Sequence, residues 1–284
     1  MNYIIKEYTI PSNKILENKR IVTISDLHFN NNITYQELEN LLVRIVDLAP
    51  NYIFILGDLF TFNELEKPMF KINMLKFLND LASVSKTFVI LGNKDIIYSN
   101  QFKSFEVNLD DILDFYDKTK VHALNNDVLE EIDLNIIAFQ KSYNSYLEEF
   151  KKIDTLKEEI QRFFLNVENI LTNDKYNILL THSHLDILKT KCEELKQIDL
   201  MLAGHTHNAL VPNFLEEVFP KHLGIITANK FFPKFTRGDI SNKGMSIIIN
   251  GGITKISDAH SPIIKKLTKN FYPGEIDSIT LKKI

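Results

Sequence analysis

Six short apolar runs, each stopping at polar or glycine-containing residues, constrain this 284-residue chain more than any other feature. They are RIVTIS before Asp26, YIFIL before Gly57, TFVIL before Gly92, NIIAF at 135–139, NILLT before His182 and DLMLA before Gly204. Each has the length and β-branched content of a buried strand. Segments of helical spacing lie between them. Tyr35–Leu48 sets Leu38, Leu41, Leu42, Ile45 and Val46 on one face, and Met69–Leu81 does the same with Phe70, Met74, Leu75, Phe77, Leu78 and Leu81. Strand and helix alternating in this way predicts an α/β fold with parallel strands and helical crossovers.

The rhythm breaks over 142–173. YLEEFKKIDTLKEEIQRFFLNVENIL is charged, holds apolar residues at helical intervals and has no glycine or proline, which predicts one long helix or a helical pair. Two readings stay open for it: a cap over a site, or an amphipathic helix packed on the sheet. After Gly204, GIITANKFF, GMSIIINGG and EIDSITLKK are β-like stretches broken by Gly, Pro and Asn, so the last third is expected to be strand-rich. There is no repeat or linker. The expectation is a single domain over 1–284 with a helical insertion at about 142–173.

A hydrophobic fraction of 44% and a charged fraction of 25% are those of a soluble globular protein. The formal net charge of −4 argues against broad binding of long nucleic acid, which needs a basic surface. It leaves room for a small anionic substrate held by metal ions. Cys192 is the only cysteine, so neither an internal disulfide nor a cysteine zinc cluster can form, as suits a reducing cytoplasm. The stretch MNYIIKEYTIPSNKILENK does not read as a signal peptide, and no apolar run approaches the ~20 residues of a membrane helix. A cytoplasmic location is therefore expected. Oligomeric state is not set by these features, and peripheral membrane contact stays open.

The strand ends carry the residues of interest: Asp26-Leu27-His28, Gly57-Asp58, Gly92-Asn93, His182-Ser183-His184 and Gly204-His205-Thr206-His207. Imidazole, carboxylate and amide oxygen together make a ligand set for divalent Mn, Fe or Zn. In an extended segment side chains two apart leave on one face, so D-x-H and H-x-H pairs can reach one site. At least six potential ligands exceed the needs of one tetrahedral ion, which points to a dinuclear site with a bridging carboxylate. Five of the eight histidines fall at these ends; His122, His222 and His260 read as surface or hydrogen-bonded imidazoles.

DLH, GDLF, GNKD, LLTHSH and LAGHTH, in this order and setting, resemble the calcineurin-like metallophosphoesterases over about Ile21–Pro212. The resemblance implies a β-sandwich flanked by helices, in four layers (α/β/β/α). It also implies one metal between Asp26, His28, Asp58 and His207 and a second between Asp58, Asn93, His182 and His205. Manganese is the favoured ion, with Fe or Zn as alternates. A bridging water would lose its proton near neutral pH and attack phosphorus. His182 takes the ligand role because it follows its strand immediately. His184 is left as an outer group or proton donor, or as a histidine at a helix start. The FPKFTRG and PGEIDSITL segments look like those of a bacterial subgroup related to secreted or membrane-linked phosphoesterases, whose leader is not expected here.

Lys94 departs from the family pattern, which has a histidine after the asparagine, near the leaving-group oxygen. An unperturbed lysine (pKa near ~10.4) neutralises phosphate charge but donates protons poorly, although two nearby metal ions would favour its neutral form. General acid catalysis contributes about 10²–10⁴-fold and weighs most on poor leaving groups. The expected activity is therefore hydrolysis of a small phosphorylated substrate, a phosphodiester or pyrophosphate rather than an alkyl monoester. In FFPKFTRG, Lys234 and Arg237 are candidates to grip a second phosphate and Phe231, Phe232 and Phe235 to stack or touch lipid; the plain alternative is a surface turn with an apolar anchor. Two rival functions are a metal-dependent nuclease and a metal-binding scaffold that has lost turnover.

Overall fold

The computed structural model describes residues 2–29, 33–60, 64, 67–99, 104–148, 151–216, 218–220, 223–227, 230–231, 233–242, 244–254 and 271–284. The chain begins with β1 (Tyr3–Ser12), β2 (Lys19–Ile24), α1 (Tyr35–Asp47), β3 (Tyr52–Leu56), α2 (Pro68–Val84) and β4 (Lys86–Ile90). It continues with the one-turn α3 (Asn93–Ile96), β5 (Ile97–Ser99), β6 (Ser104–Glu106), α4 (Leu109–Tyr116), β7 (His122–Ala123), β8 (Asp127–Glu130) and β9 (Leu134–Ala138). Then come α5 (Tyr143–Leu147), α6 (Ile153–Val167), β10 (Tyr176–Leu180), α7 (Leu185–Thr190) and β11 (Leu200–Ala203). The last part holds β12 (Ile226–Thr227), β13 (Lys230–Phe231), β14 (Gly238–Asn242), β15 (Met245–Ile249) and β16 (Gly274–Lys283).

Two six-stranded sheets form, ordered β1-β16-β2-β3-β4-β7 and β14-β15-β11-β10-β9-β8. Within them β2-β3-β4-β7 and β9-β10-β11-β15 are parallel, as the strand–helix alternation predicts. The six apolar runs are buried because both faces of each sheet are covered. In β3, Ile53 and Ile55 face α1 and α2, whereas Phe54 and Leu56 enter the core between the sheets. In β10, Ile178 and Leu180 meet that inter-sheet core while Leu179 turns outward. The resulting order is helix, sheet, sheet, helix.

Helix α1 starts at a capping box in which Thr34 and Glu37 satisfy each other's backbone donors, and it buries Leu38, Leu41 and Ile45. Val46, on the edge of the expected face, is 46% exposed because α1 packs through a narrower stripe. Over 142–173 the helical pair forms as α5 and α6. Leu156, Ile160, Phe163 and Phe164 of α6 pack against Ile137, Leu179 and Met201 on the outer face of the second sheet. Residues 153–167 thus flank the second sheet. The last third is strand-rich, and β16 inserts between β1 and β2, parallel to the first and antiparallel to the second. Among the described residues no helix is long and apolar enough to cross a membrane.

Candidate metal centre

Every candidate ligand lies in the first residues beyond a strand. Asp26 and His28 follow β2, Asp58 follows β3, Asn93 opens α3 after β4, His182 follows β10, and His205 and His207 follow β11. Because neighbouring strands are parallel, these exits open on one end of each sheet. Pairing of the first two continues past the strands: the Asp26 N–H donates to the Gly57 carbonyl and the His28 N–H to the Asp58 carbonyl, each at 3.0 Å. Asp26, His28, Asp58, His205 and His207 all take left-handed backbone, with φ of 50°, 44°, 52°, 71° and 48°. Such conformations cost non-glycine residues about 1–3 kcal/mol each and gather at functional sites.

Two clusters result. Asp26, His28 and His207 bring one ligand atom each to within 4.8 Å of one another, and so do Asp58, His182 and His205. Asp58 joins them, with its Oδ2 3.4 Å from His182 Nε2 and 3.8 Å from His28 Nε2. Asn93 Oδ1 lies 3.2 Å from His182 Nε2 and extends the second cluster. The one-face argument from spacing holds for Asp26 and His28 only. His205 and His207 divide between the clusters, and His182 parts from His184, because the turns past the strands are not extended.

Backbone carbonyls orient two of the imidazoles. His182 Nδ1–H donates to the Leu56 carbonyl at 2.7 Å and His207 Nδ1–H to the Thr254 carbonyl at 2.7 Å. A carbonyl only accepts, so both rings donate through Nδ1 and turn Nε2 inward. His182 Nε2 then faces His205 Nδ1 at 3.1 Å, and His207 Nε2 faces His28 Nε2 at 3.4 Å. Asp26 has one saturated oxygen: Oδ2 accepts from Ser25 Oγ at 2.6 Å and from the His205 N–H at 2.9 Å. Its buried Oδ1 has no hydrogen-bond partner among the described residues. An orphaned carboxylate oxygen and ring nitrogens facing one another are costly arrangements that a divalent cation relieves.

Charges in the cluster follow the same logic. Burial opposes a charge on His182, but the Asp58 and Asp26 carboxylates overcome it and push the imidazole up to about 9. Against the effect of burial, the imidazoles, His182 foremost, hold Asp58 below the usual carboxylate range, and His207 does the same for Asp26. The centre is a sink for positive charge.

Asp95, quoted in GNKD without a role, supports the centre from below. Its buried carboxylate accepts the N–H of Gly92 at 2.7 Å, of Asp58 at 2.9 Å and of Phe60 at 3.4 Å. Its place three residues after Gly92, where a carboxylate at the third helical position accepts the N-cap N–H, is the local signal that could have found it. Burial and the Asp58 charge push it up to about 7. Gly92 is required by proximity, since a Cβ there would lie 2.2 Å from Asp58 Oδ1.

The remaining candidates fall elsewhere. Lys94 donates its backbone N–H to Asp58 Oδ1 at 2.7 Å and carries an exposed side chain. His184 is buried outside both clusters, with Nε2 2.8 Å from the Phe235 carbonyl. Lys234 is exposed. Arg237 is a correction: it is 6% exposed, and its guanidinium donates to the carbonyls of Leu223, Glu216, Phe219 and Pro220 at 3.2–3.4 Å. Its donors are taken up by those four carbonyls rather than turned to the centre. His122 is exposed and stacks on Phe88, as the plain reading has it. Phe232, His222 and His260 lie outside the described residues. Beside α3 a cleft of about 450 Å³ opens, with Ile96, Val107, Phe139 and Phe163 as apolar walls and Gln140 and Arg162 as polar ones.

Residues 19–209 match the family described as calcineurin-like phosphoesterase. The chain is 26% identical over 212 residues to an uncharacterised metallophosphoesterase of Campylobacter jejuni, covering 74% of this chain and 50% of that protein. It thus spans about half the length of the curated relative it matches. Among solved structures it is similar to a dimetal phosphatase from Danio rerio, with a TM-score of 0.47, 9% identity, and coverage of 84% of this chain and 89% of that one. It is also similar to the phosphopantetheinyl hydrolase of Mycobacterium tuberculosis, with a TM-score of 0.44, 12% identity and coverage of 89% and 93%.

Proposed function

This chain belongs to the calcineurin-like phosphoesterase family, and we propose that it is a metal-dependent phosphohydrolase acting on a small phosphorylated substrate, a phosphodiester or pyrophosphate in preference to an alkyl monoester. The observation that carries this reading is the buried, unpartnered Asp26 Oδ1, set among inward-facing imidazoles. In it Asp26, His28, Asp58 and His207 hold one divalent ion and Asp58, Asn93, His182 and His205 the other, with Asp58 shared. Manganese is the favoured ion, and the mixed ligands also admit Fe or Zn. The chemistry such a pair supplies when bound is neutralisation of phosphoryl charge and a water activated for attack near neutral pH.

The chain's own groups orient and complement that chemistry. Leu56 and Thr254 carbonyls fix the His182 and His207 rings, and Asp95 fixes the Asp58 backbone. Lys94 offers an ammonium to an anionic oxygen at the position where the family presents an imidazole, which suits leaving groups that need little protonation. The cleft touches Ile96, one helical turn from Asn93, and gives room for the organic part of a diester. Because the centre draws on both sheets, we read 1–284 as one domain.

The test is turnover of aryl monoester, aryl diester, nucleotide pyrophosphate and duplex DNA with Mn²⁺. Metal-dependent hydrolysis, fastest on the diester or pyrophosphate and lost to chelator, is expected. No turnover with Mn²⁺, Fe²⁺ or Zn²⁺ despite two bound equivalents would leave a scaffold, and preference for DNA would leave a nuclease.

A further inference from the structure

The family match ends at residue 209, yet the segment that follows β15, Asn250-Gly251-Gly252-Ile253-Thr254, reaches the centre from outside that span. It crosses from one sheet to the other. The Asn250 N–H donates to the Ala203 carbonyl of β11 at 2.8 Å, and the Ile253 and Thr254 N–H groups donate to Ser25 and Asp26 at 2.9 and 3.0 Å. The Glu275 N–H donates to the Gly252 carbonyl at 3.0 Å, so β16 holds the segment from its far side. Thr254 then contributes twice. Its carbonyl takes the His207 Nδ1–H, and its hydroxyl donates to the Leu27 carbonyl at 2.8 Å, between the two ligands Asp26 and His28.

The Asn250 side chain forms a second line of contact. Its Oδ1 accepts the Gly252 N–H at 3.0 Å, and since a backbone N–H only donates, this fixes which end of the amide is oxygen. The Nδ2 end donates to Asp277 Oδ2 at 2.8 Å, and Thr23 Oγ1 donates to the same carboxylate oxygen at 3.0 Å. Ser25 Oγ lies 2.9 Å from Asn250 Oδ1 and 2.6 Å from Asp26 Oδ2. The single Ser25 hydroxyl hydrogen goes to Asp26 Oδ2, so Asn250 Oδ1 is held by the Gly252 N–H and only packs against Ser25 Oγ; Asn250, Asp277 and Asp26 are all fully buried. With the His205 N–H, the Ser25 hydroxyl saturates Oδ2 and leaves Oδ1 as the oxygen that faces His28 and His207. None of the bonds just named ends on the side chain of Asp58, Asn93, His182 or His205.

We propose that Asn250–Thr254 is the positioning element of one metal position only: Asn250, anchored by Asp277, fixes the turn through the Gly252 N–H, the Ile253 and Thr254 N–H groups then hold the Ser25 and Asp26 carbonyls, and the Thr254 carbonyl sets the ring of His207. This rests on the dinuclear reading above and assigns it a part that lies outside the family match. Partners that bond a ligand directly, as the Ser25 hydroxyl and the Thr254 carbonyl do, change affinity by about 10–100-fold when removed, and Asn250 acts on them by fixing the turn.

Titrating Mn²⁺ into the full-length, metal-free chain by calorimetry, with electron paramagnetic resonance of the bound ion, tests it. Asn250→Ala should weaken one of two equivalents by about 10–100-fold and leave the other within about twofold. The weakened equivalent should be the one that His28→Ala also weakens. Ser25→Ala removes a single hydroxyl, so it serves where Asn250→Ala folds poorly, and it should act on the same equivalent. Folded variants with both equivalents at wild-type affinity, or with both weakened alike, would overturn the proposal. Wild-type protein that binds no Mn²⁺ would overturn the dinuclear reading and this with it, an outcome distinct from wild-type binding with unaffected variants.

Discussion

Replacing Gly57 with alanine probes a close convergence of three strand ends at the centre. Gly57 has φ +87°, and a Cβ there would lie 2.6 Å from the Gly92 nitrogen and 2.6 Å from His182 Nδ1. The left-handed backbone costs an L-residue about 1–2 kcal/mol. Overpacking against another backbone adds about 1–3 kcal/mol. Displacing the imidazole loosens its 2.7 Å bond to the Leu56 carbonyl, about 1 kcal/mol more. The sum, about 3–6 kcal/mol, is a large part of the ~5–15 kcal/mol that holds a domain together. At ~2–4 °C per kcal/mol for larger domains, the metal-free protein should melt on the order of 10 °C lower. The loss should also be local: the Asp58–Asn93–His182–His205 position should bind Mn²⁺ poorly while the Asp26–His28–His207 position retains it. Thermal melting followed by circular dichroism, with a calorimetric Mn²⁺ titration, reads both effects. A melting temperature within about 2 °C of wild type, with both equivalents bound, would show that the strand ends do not meet as closely as the argument requires.

Asp58→Asn should remove the shared carboxylate and with it both tight metal binding and turnover; two tightly bound equivalents in that variant would end the bridging assignment. Lys94→His should raise alkyl monoester hydrolysis relative to aryl diester hydrolysis by about 10–100-fold, read as a ratio of kcat/KM values, and an unchanged ratio defeats the leaving-group argument. Arg237→Ala should lower stability by about 1–3 kcal/mol, because four part-buried carbonyls lose their donor, while KM stays within about twofold; a large KM effect at wild-type stability would restore it as a substrate group. Asp277 is pushed up to about 8, by burial first and then by the Glu275 carboxylate, against the bonds from Asn250 and Thr23 and the Lys6 charge. The folded chain then keeps a proton that the unfolded chain loses near pH ~3.9, so this group's contribution to stability is complete below that pH and falls as pH rises toward 8. Asp277→Asn should flatten that decline, by up to about 1.4 kcal/mol per pH unit, in denaturant unfolding compared at about pH 5.5 and 8.

Much of the fold and the ligand set could be read from sequence because their causes are local. YIFIL and NILLT are strands buried on both faces, and a run that is apolar at every position admits that reading directly. The capping box at Thr34 and the apolar periodicity of α1 and α2 are likewise written in consecutive residues. What could not be read is nonlocal. Nothing in GMSIIINGG says that Asn250 will meet Ser25, 225 positions away, or in PGEIDSITL that Asp277 will meet Thr23, 254 positions away. The insertion of β16 between β1 and β2 creates both meetings. Arg237 misled for a related reason: a basic residue beside aromatics looks available until the fold shows four carbonyls around it.

The left-handed residues explain why the candidate ligands gather in two clusters although their spacing alone would send each pair to one face. Same-face reasoning assumes extended backbone, but Asp26, His28, His205 and His207 all have positive φ, so turn geometry rather than strand alternation aims their side chains. With Asp58 there are five such residues, and at about 1–3 kcal/mol each their summed strain is comparable to the whole stability of a typical domain. That strain persists only if the surroundings over-determine it. The Gly57 and Asp58 carbonyls hold the β2 exit, Asp95 holds the β3 exit, and Ser25 and Thr254 hold Asp26 and His207. A divalent cation held there would supply the attraction these contacts leave unmet at Asp26 Oδ1. The ligands are thus stored in conformations that no single strand would choose, and the need for two sheets follows, because no one sheet carries all the groups that hold them.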